Sequence, residues 1–217
     1  RRQRQMCIRD SSLTDAANGV AQLIIIGENT DATFMGLASL EQMLDATTTA
    51  MPTVTISDYA DLKERGIIEG FYGKPYSCEV RKDLLRFMMR NKMNCYVYGP
   101  KSDVYHSGKW DEAYPTTLTE SQRKSGFVTQ QDLREFTSVA HQTKVSVVWA
   151  IHPGESLLED NDVVSKIVGK FAKMYDLGFR QFAVFADDVG VPGTQSGMEL
   201  TATRISEIQR SMENRWN

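Results

Sequence analysis

Hydrophobic and polar positions along this chain alternate between two periods. Short, nearly unbroken apolar runs occupy residues 66–70, 94–98, 145–151 and 180–186, and each predicts a buried strand. Between them, apolar residues recur every three or four positions, as on one face of a helix. The first such stretch covers 79–91, with Val80, Leu84, Leu85 and Met88 on one side. Thr129, with Asp132 three residues on, marks a second helix start, and Leu133, Phe136, Val139 and Ala140 form its stripe. A third helix begins at Asp160 or Asn161 and places Val163, Val164, Ile167, Val168, Phe171, Met174 and Tyr175 on the 3.6-residue period. Gly178 is positioned to end it, and a final helix covers about 198–212. Strands that alternate with helices in this way imply βαβ units and a parallel sheet. The period fits a four-stranded doubly wound sheet and half of an eight-stranded barrel equally well.

The first 57 residues carry a different pattern. Residues 20–26 read as a buried strand ending at Gly27. A helix is expected over 32–46 from Phe34, Met35, Leu37, Leu40, Met43 and Leu44. Residues 46–52 read as a loop and 54–56 as a short strand, which together make a small α+β module.

Charge and composition narrow the function. A net charge of −3 gives no reason to expect nucleic acid, which is bound by clustered Lys and Arg. The basic cluster Arg1, Arg2 and Arg4 reads as a solvated tail. The longest apolar stretch, 23–26, is far too short to span a membrane. The chain opens on Arg1 rather than Met, so a removed leader stays open, and compartment is not decided. Cys7, Cys78 and Cys95 form no Cys-x-x-Cys pair and read as free thiols. Neither a Gly-x-Gly-x-x-Gly turn nor a phosphate-cradling Gly-rich loop follows any strand, which disfavours nucleotides. No cofactor is implied.

In parallel α/β folds the residues just beyond each strand converge on one face. Here they are Gly70-Phe-Tyr-Gly73, Gly99-Pro-Lys-Ser-Asp103, His152-Pro-Gly154 and Asp187-Asp188. Glycines allow close backbone approach, Lys101 adds a cationic donor, Tyr72 a hydroxylated ring, and the aspartates supply acid and anion. Such a mixture suits a sugar. Blander readings stand beside it: a Gly at a strand end is usually only a turn, and His106 in Tyr105-His-Ser-Gly108 reads as loop structure. His152 could simply hold backbone. Asp188 could cap a helix, although Val189-Gly-Val-Pro192 delays one. Paired Asp could also hold Mg²⁺, but such a site recruits further carboxylates, and the other strand ends offer only Glu69 and Asp103. On residues alone, sugar chemistry and a metal site both remain open.

Four motifs add a resemblance. Residues Gly66-Ile-Ile-Glu-Gly-Phe-Tyr-Gly-Lys-Pro-Tyr-Ser77 resemble the opening strand of the catalytic domain of glycoside hydrolase family 84, the O-GlcNAcases and bacterial β-N-acetylglucosaminidases, some of them called hyaluronidases. Asn91-Lys-Met-Asn-Cys-Tyr-Val-Tyr-Gly-Pro-Lys-Ser-Asp103, with Tyr105-His-Ser107, is similar to the second strand and its loop. Trp149-Ala-Ile-His-Pro-Gly154 resembles the third and Phe182-Ala-Val-Phe-Ala-Asp-Asp188 the fourth. Residues 24–44 are similar to the small domain that precedes the barrel in bacterial members. What the resemblance implies is a retaining β-N-acetylglucosaminidase working by substrate-assisted catalysis through an oxazoline. In it Asp187 polarises the acetamido group and Asp188 is the general acid and then base. Lys101 and the backbone at Gly70 contact sugar hydroxyls, Tyr72 lines the pocket, and no metal takes part.

The fold class expected is therefore α/β, the first four βα units of a TIM (β/α)8 barrel after part of a small α+β domain. Residues 1–57 are assigned to the smaller domain and 58–217 to the barrel half. A complete barrel needs roughly 250 residues, more than follow Gly66. The expected partners are a GlcNAc-bearing glycan or glycoprotein, and the rest of the barrel from further sequence or another chain. The alternative is a non-catalytic fragment or sugar-binding remnant that lacks the later loops.

Overall fold

The computed structural model describes residues 7–15, 21–44, 55–186 and 194–216, with side chains from residue 23 onward. Two sheets organise them. β1 (Cys7–Asp15), β2 (Ala21–Gly27) and β3 (Thr55–Tyr59) form an antiparallel sheet in the order β2-β1-β3, and α1 (Thr30–Met43) follows β2. The hydrophobic pattern anticipates β2, α1 and β3 but not β1. Cys7–Asp15 is mostly polar, and its ladder is interrupted by an irregularity between Arg9 and Ser11. Asn29 caps α1 by accepting from the Ala32 N–H at 2.9 Å. The helix ends at Met43, three residues short of the expected end, and the loop expected over 46–52 lies outside the described residues.

The second sheet is built from β4 (Gly66–Glu69), β5 (Cys95–Tyr98), β6 (Ser146–Ile151) and β7 (Gln181–Val184), in that order and all parallel. Connecting them are α2 (Cys78–Arg90), the short α3 (Glu120–Lys124), α4 (Gln130–Thr143), the short α5 (Ser156–Glu159) and α6 (Val163–Asp176). α7 (Gln195–Trp216) follows β7. This is half of an α/β barrel of the TIM type. Thr129 and Asp132 form the expected capping box on α4, and Gly178 takes φ +104° beyond α6. α6 starts later than expected, at Val163. The Asp160 carboxylate accepts from the Asp162 N–H at 2.8 Å and pairs with Lys166, which forms a local turn ahead of the helix.

Period-two alternation then divides the strands into two faces. Tyr96, Tyr98, Val147, Trp149 and Ile151 are buried against the helices, where Leu85, Met88, Leu133, Phe136, Ile167, Phe171 and Met174 meet them. On the alternate face Ile68 is 67% exposed, Ser146 and Gln181 are exposed, and Val97, Val148 and Ala183 are partly so. Parallel sheets are ordinarily covered on both faces. Among the described residues only the helix-side face is closed.

One buried element was invisible in the pattern. The expected α2 stripe ran through Val80, yet Val80 is 43% exposed and Arg81 is buried in its place. The Arg81 guanidinium donates from Nε and Nη2 to the Glu69 carboxylate, both at 2.8 Å, and lies 4.7 Å from the Tyr98 ring centroid. Glu69 also accepts from the Tyr96 hydroxyl at 2.6 Å and the Tyr76 N–H at 3.1 Å. A buried carboxylate of this kind holds its place only because every lone pair is used.

Candidate active site

The carboxyl ends of the four parallel strands are stitched together by backbone. The Gly99 N–H donates to the Glu69 carbonyl at 3.0 Å, and the Lys101 N–H donates to the Phe71 carbonyl at 3.2 Å. The Ser102 hydroxyl accepts from the Gly73 N–H at 3.1 Å. Gly70 and Lys101, on different strands, are thus brought to one edge of the sheet. The ring of Phe185, just past β7, reaches the same place, and the Lys101 ammonium stands 5.7 Å from its centroid. Asp187 and Asp188 lie outside the described residues, which stop at Ala186, directly before them. Tyr72 is 71% exposed, while its neighbour Phe71 packs edge-on to Tyr76 with centroids 5.0 Å apart.

Gly99 does not leave room for a ligand. A Cβ on it would stand 2.5 Å from Phe185 Cε2 and 3.2 Å from His106 Cε1, so its missing side chain accommodates the Phe185 ring. Gly73 and Gly154 adopt φ +101° and +58°, where the turn itself favours glycine. At Gly70, φ is not in the left-handed range, and the nearest atom to a built Cβ is an Ile68 methyl at 3.4 Å.

The two carboxylates that a Mg²⁺ site would have recruited are committed elsewhere. Glu69 belongs to Arg81. Asp103, buried, accepts from the Tyr98 hydroxyl at 2.6 Å, the Tyr114 hydroxyl at 2.7 Å and the Tyr105 N–H at 2.9 Å. Burial, with Asp103 beside them, holds both phenols well above their ordinary range. Beneath them Lys170, a helix residue with no place in the apolar stripe, is buried among Tyr105, Tyr114 and Trp149. Its ammonium is 4.9 Å from the Tyr114 centroid and 5.3 Å from that of Trp149. It donates to the Tyr105 carbonyl at 3.0 Å and to the Glu112 carbonyl. Burial brings its pKa down to about 8.

His106, expected to be simple loop structure, is fully buried. Its Nδ1 lies 2.6 Å from the Ala150 carbonyl, so Nδ1 carries the proton and Nε2 is the acceptor. Among the described residues Nε2 has no hydrogen-bond partner. Burial lowers the imidazole to about 4, against an ordinary 6.5. The His106 carbonyl accepts from the His152 backbone N–H at 2.9 Å, which ties the loop after β5 to the end of β6. Sequence reasoning missed Phe185, Arg81 and Lys170. The only signal for Phe185 was its place two residues before the acid pair.

Two cavities of about 280 and 390 Å³ lie away from this face. The smaller is lined by Lys144, Ser146 and Gln181 at the amino end of the strands, and the larger lies between α1 and the turn at Asn91 and Lys92. Residue chemistry and strand polarity, not cavity size, mark the candidate site.

Comparison with known proteins identifies a family. A family described as β-N-acetylglucosaminidase (NAGidase) matches residues 65–215. The protein O-GlcNAcases of Rattus norvegicus and Mus musculus are each 32% identical over 125 residues, covering 57% of this chain and 12% of theirs. The solved structure of CpGH84B superposes with a TM-score of 0.72 at 30% identity, covering 95% of this chain and 34% of the other. CpGH84D gives 0.64 at 34% identity, with 85% and 31% covered. A variant O-GlcNAc hydrolase from Thermobaculum terrenum gives 0.59 at 28%, with 70% and 33% covered. The chain therefore spans about an eighth of the curated relatives and a third of the solved ones.

Proposed function

Because this chain belongs to the β-N-acetylglucosaminidase family, we propose that it contributes the acid pair and four of the eight strand ends of a retaining glycosidase acting on terminal β-linked GlcNAc. The observation that carries this reading is the meeting of Gly70, Lys101 and Phe185 at the carboxyl end of a parallel sheet, one residue short of the segment that begins Asp187-Asp188. In the barrel half, which we take as residues 58–217, the Lys101 ammonium and the Gly70 backbone would bind sugar hydroxyls. Tyr72 would form an outer wall. The remaining four strands would come from a further segment or a second chain and close the open face at Ile68.

Two adjacent acids suit a substrate-assisted reaction, because consecutive Cα atoms are about 3.8 Å apart and both carboxyls can reach one sugar. The 2-acetamido oxygen attacks the anomeric carbon as the glycosidic C–O bond breaks. Asp188 delivers its proton to the leaving oxygen, and Asp187 accepts the amide N–H and stabilises the oxazolinium charge. Asp188, now a carboxylate, takes a proton from water, whose oxygen attacks the anomeric carbon and reopens the oxazoline with net retention.

Hydrolysis of aryl N-acetyl-β-glucosaminides by the assembled barrel tests the roles. Asp188→Ala should keep much of its rate with a good leaving group and lose roughly 10²-fold or more with a poor one. Asp187→Ala should lose with both. Equal losses across leaving groups in both variants would remove the assignment, and loss of activity on chelation would favour the metal reading instead.

A further inference from the structure

Three consecutive residues, Tyr105, His106 and Ser107, each tie the loop after β5 to a different part of the molecule. The Tyr105 carbonyl accepts from Lys170 on α6 at 3.0 Å. His106 engages β6 twice, through Nδ1–H to the Ala150 carbonyl at 2.6 Å and through its own carbonyl to the His152 N–H at 2.9 Å. The Ser107 hydroxyl turns back and donates to the Lys101 carbonyl at 3.3 Å and the Asp103 carbonyl at 3.2 Å. With the Lys101 N–H held by Phe71, both backbone polar groups of Lys101 are fixed. The His106 ring also abuts Phe185 edge-on, with centroids 5.7 Å apart, and Phe185 is the ring beside the Lys101 ammonium.

We propose that His106 is a positioning residue: its imidazole, wedged between β6 and Phe185, sets the place of the Lys101 ammonium relative to the end of β7. This rests on the reading of Lys101 as a sugar contact. A residue kept only for packing would more cheaply be apolar, since the buried Nε2 lacks a partner among the described residues and such atoms cost stability. What an apolar residue could not supply is the directed Nδ1–H bond that fixes the ring plane against Phe185. Among the described residues, Asp103 and Lys101 from the same loop and His152 from the end of β6 are the charged or titratable groups acting on it. Phe185 and Trp149 complete its surroundings.

Two variants separate the parts. His106→Asn keeps a donor where Nδ1–H stands, and His106→Phe keeps a flat ring and removes the donor. The first readout needs no catalysis: acylation of the 217-residue chain with acetic anhydride, following the Lys101 peptide by mass spectrometry against exposed Lys124. Lys101 labelling should rise on the order of tenfold in His106→Phe and stay near wild type in His106→Asn. In the assembled barrel, His106→Phe should raise KM roughly tenfold with kcat little changed, and this effect should vanish in a Lys101→Met background. Wild-type labelling in a folded His106→Phe, or effects that simply add to those of Lys101→Met, overturns the proposal. Equal behaviour of the Asn and Phe variants overturns the role of the donor. If His106→Phe does not fold, Phe185→Leu removes the ring that links His106 to Lys101 and must raise its labelling. An assembled barrel that hydrolyses nothing removes the glycosidase reading, and the labelling still decides the positioning role.

Discussion

Replacing Glu69 by Gln should be among the most destabilising single changes in this fold. The carboxylate is fully buried and receives four donors, two from Arg81 and one each from Tyr96 and the Tyr76 backbone. Gln preserves the shape but removes the charge and turns an NH₂ group toward these donors. Arg81, whose side chain is 2% exposed, is then left as a buried cation without an anion. Breaking such a pair from one side costs about 3–5 kcal/mol, which for a chain of this size lowers Tm by roughly 6–20 °C. Removing both partners, as in Glu69→Leu with Arg81→Met, eliminates the orphaned charge. It leaves mainly the Tyr96 hydroxyl and the Tyr76 N–H unpaired, about 1–3 kcal/mol each. The double variant should thus be less destabilised than the two single changes taken together. Guanidinium titrations of wild type, Glu69→Gln, Glu69→Leu, Arg81→Met and the double variant, followed by far-UV circular dichroism and tryptophan fluorescence, give the cost and the coupling directly. A Glu69→Gln cost below about 1 kcal/mol, or strict additivity, would refute the view that this pair is held by mutual burial.

Other outcomes are equally specific. His106 is neutral in the fold and titrates near 4 instead of 6.5, so stability should be full above pH 6.5 and fall as pH drops toward 4, by up to roughly 3 kcal/mol. His106→Asn should remove that part of the acid slope, and an unchanged slope would exclude His106 as its source. Lys170, brought down to about 8, binds fewer protons folded than unfolded between about pH 8 and 10.5. Stability should therefore rise with pH across that window until tyrosine ionisation in the unfolded chain, which Tyr98 and Tyr114 resist when folded, reverses it above about pH 10. Lys170→Met should flatten the rise, and urea midpoints from pH 7.5 to 10 read it. Gly99→Ala should cost about 1–3 kcal/mol by pushing Phe185 aside, and Phe185→Leu should relieve most of it. Failure of that rescue in thermal melts would place the clash elsewhere.

How much was readable in advance follows from which signals are periodic. All four parallel strands and their long helices declared themselves, because burial against one face imposes a repeat that composition cannot hide. Caps at Thr129 and Gly178 were equally plain, since few residue types suit those positions. β1 was not, because its partners on both sides determine its pairing and its own residues are mostly polar. α3 and α5 are too short to show a period. The burial of Arg81 and Lys170 was not legible for one shared reason. A polar residue interrupting an apolar stripe reads as surface, and only the groups around it reveal that its polar atoms are met. At the candidate site the ends of β4 and β5 meet as expected, while Asp187 and Asp188 lie outside the described residues. Phe185, the ring that joins the strand ends, looked like one more apolar strand residue.

The one-sided core has a consequence for how the protein is made. The cluster from Leu85 to Ile208 is assembled from the described strands, the helices that cover them and loop residues such as Trp110 and Tyr114. These four units emerge from a ribosome in the order in which they pair, β4 to β7, each beside the strand just finished. Domains tend to fold as they are synthesised, and every parallel pairing here is between sequence neighbours. This half can therefore condense as a unit during translation. Its inner face, where Ile68 is exposed and Val97 partly so, is left open when that condensation is complete.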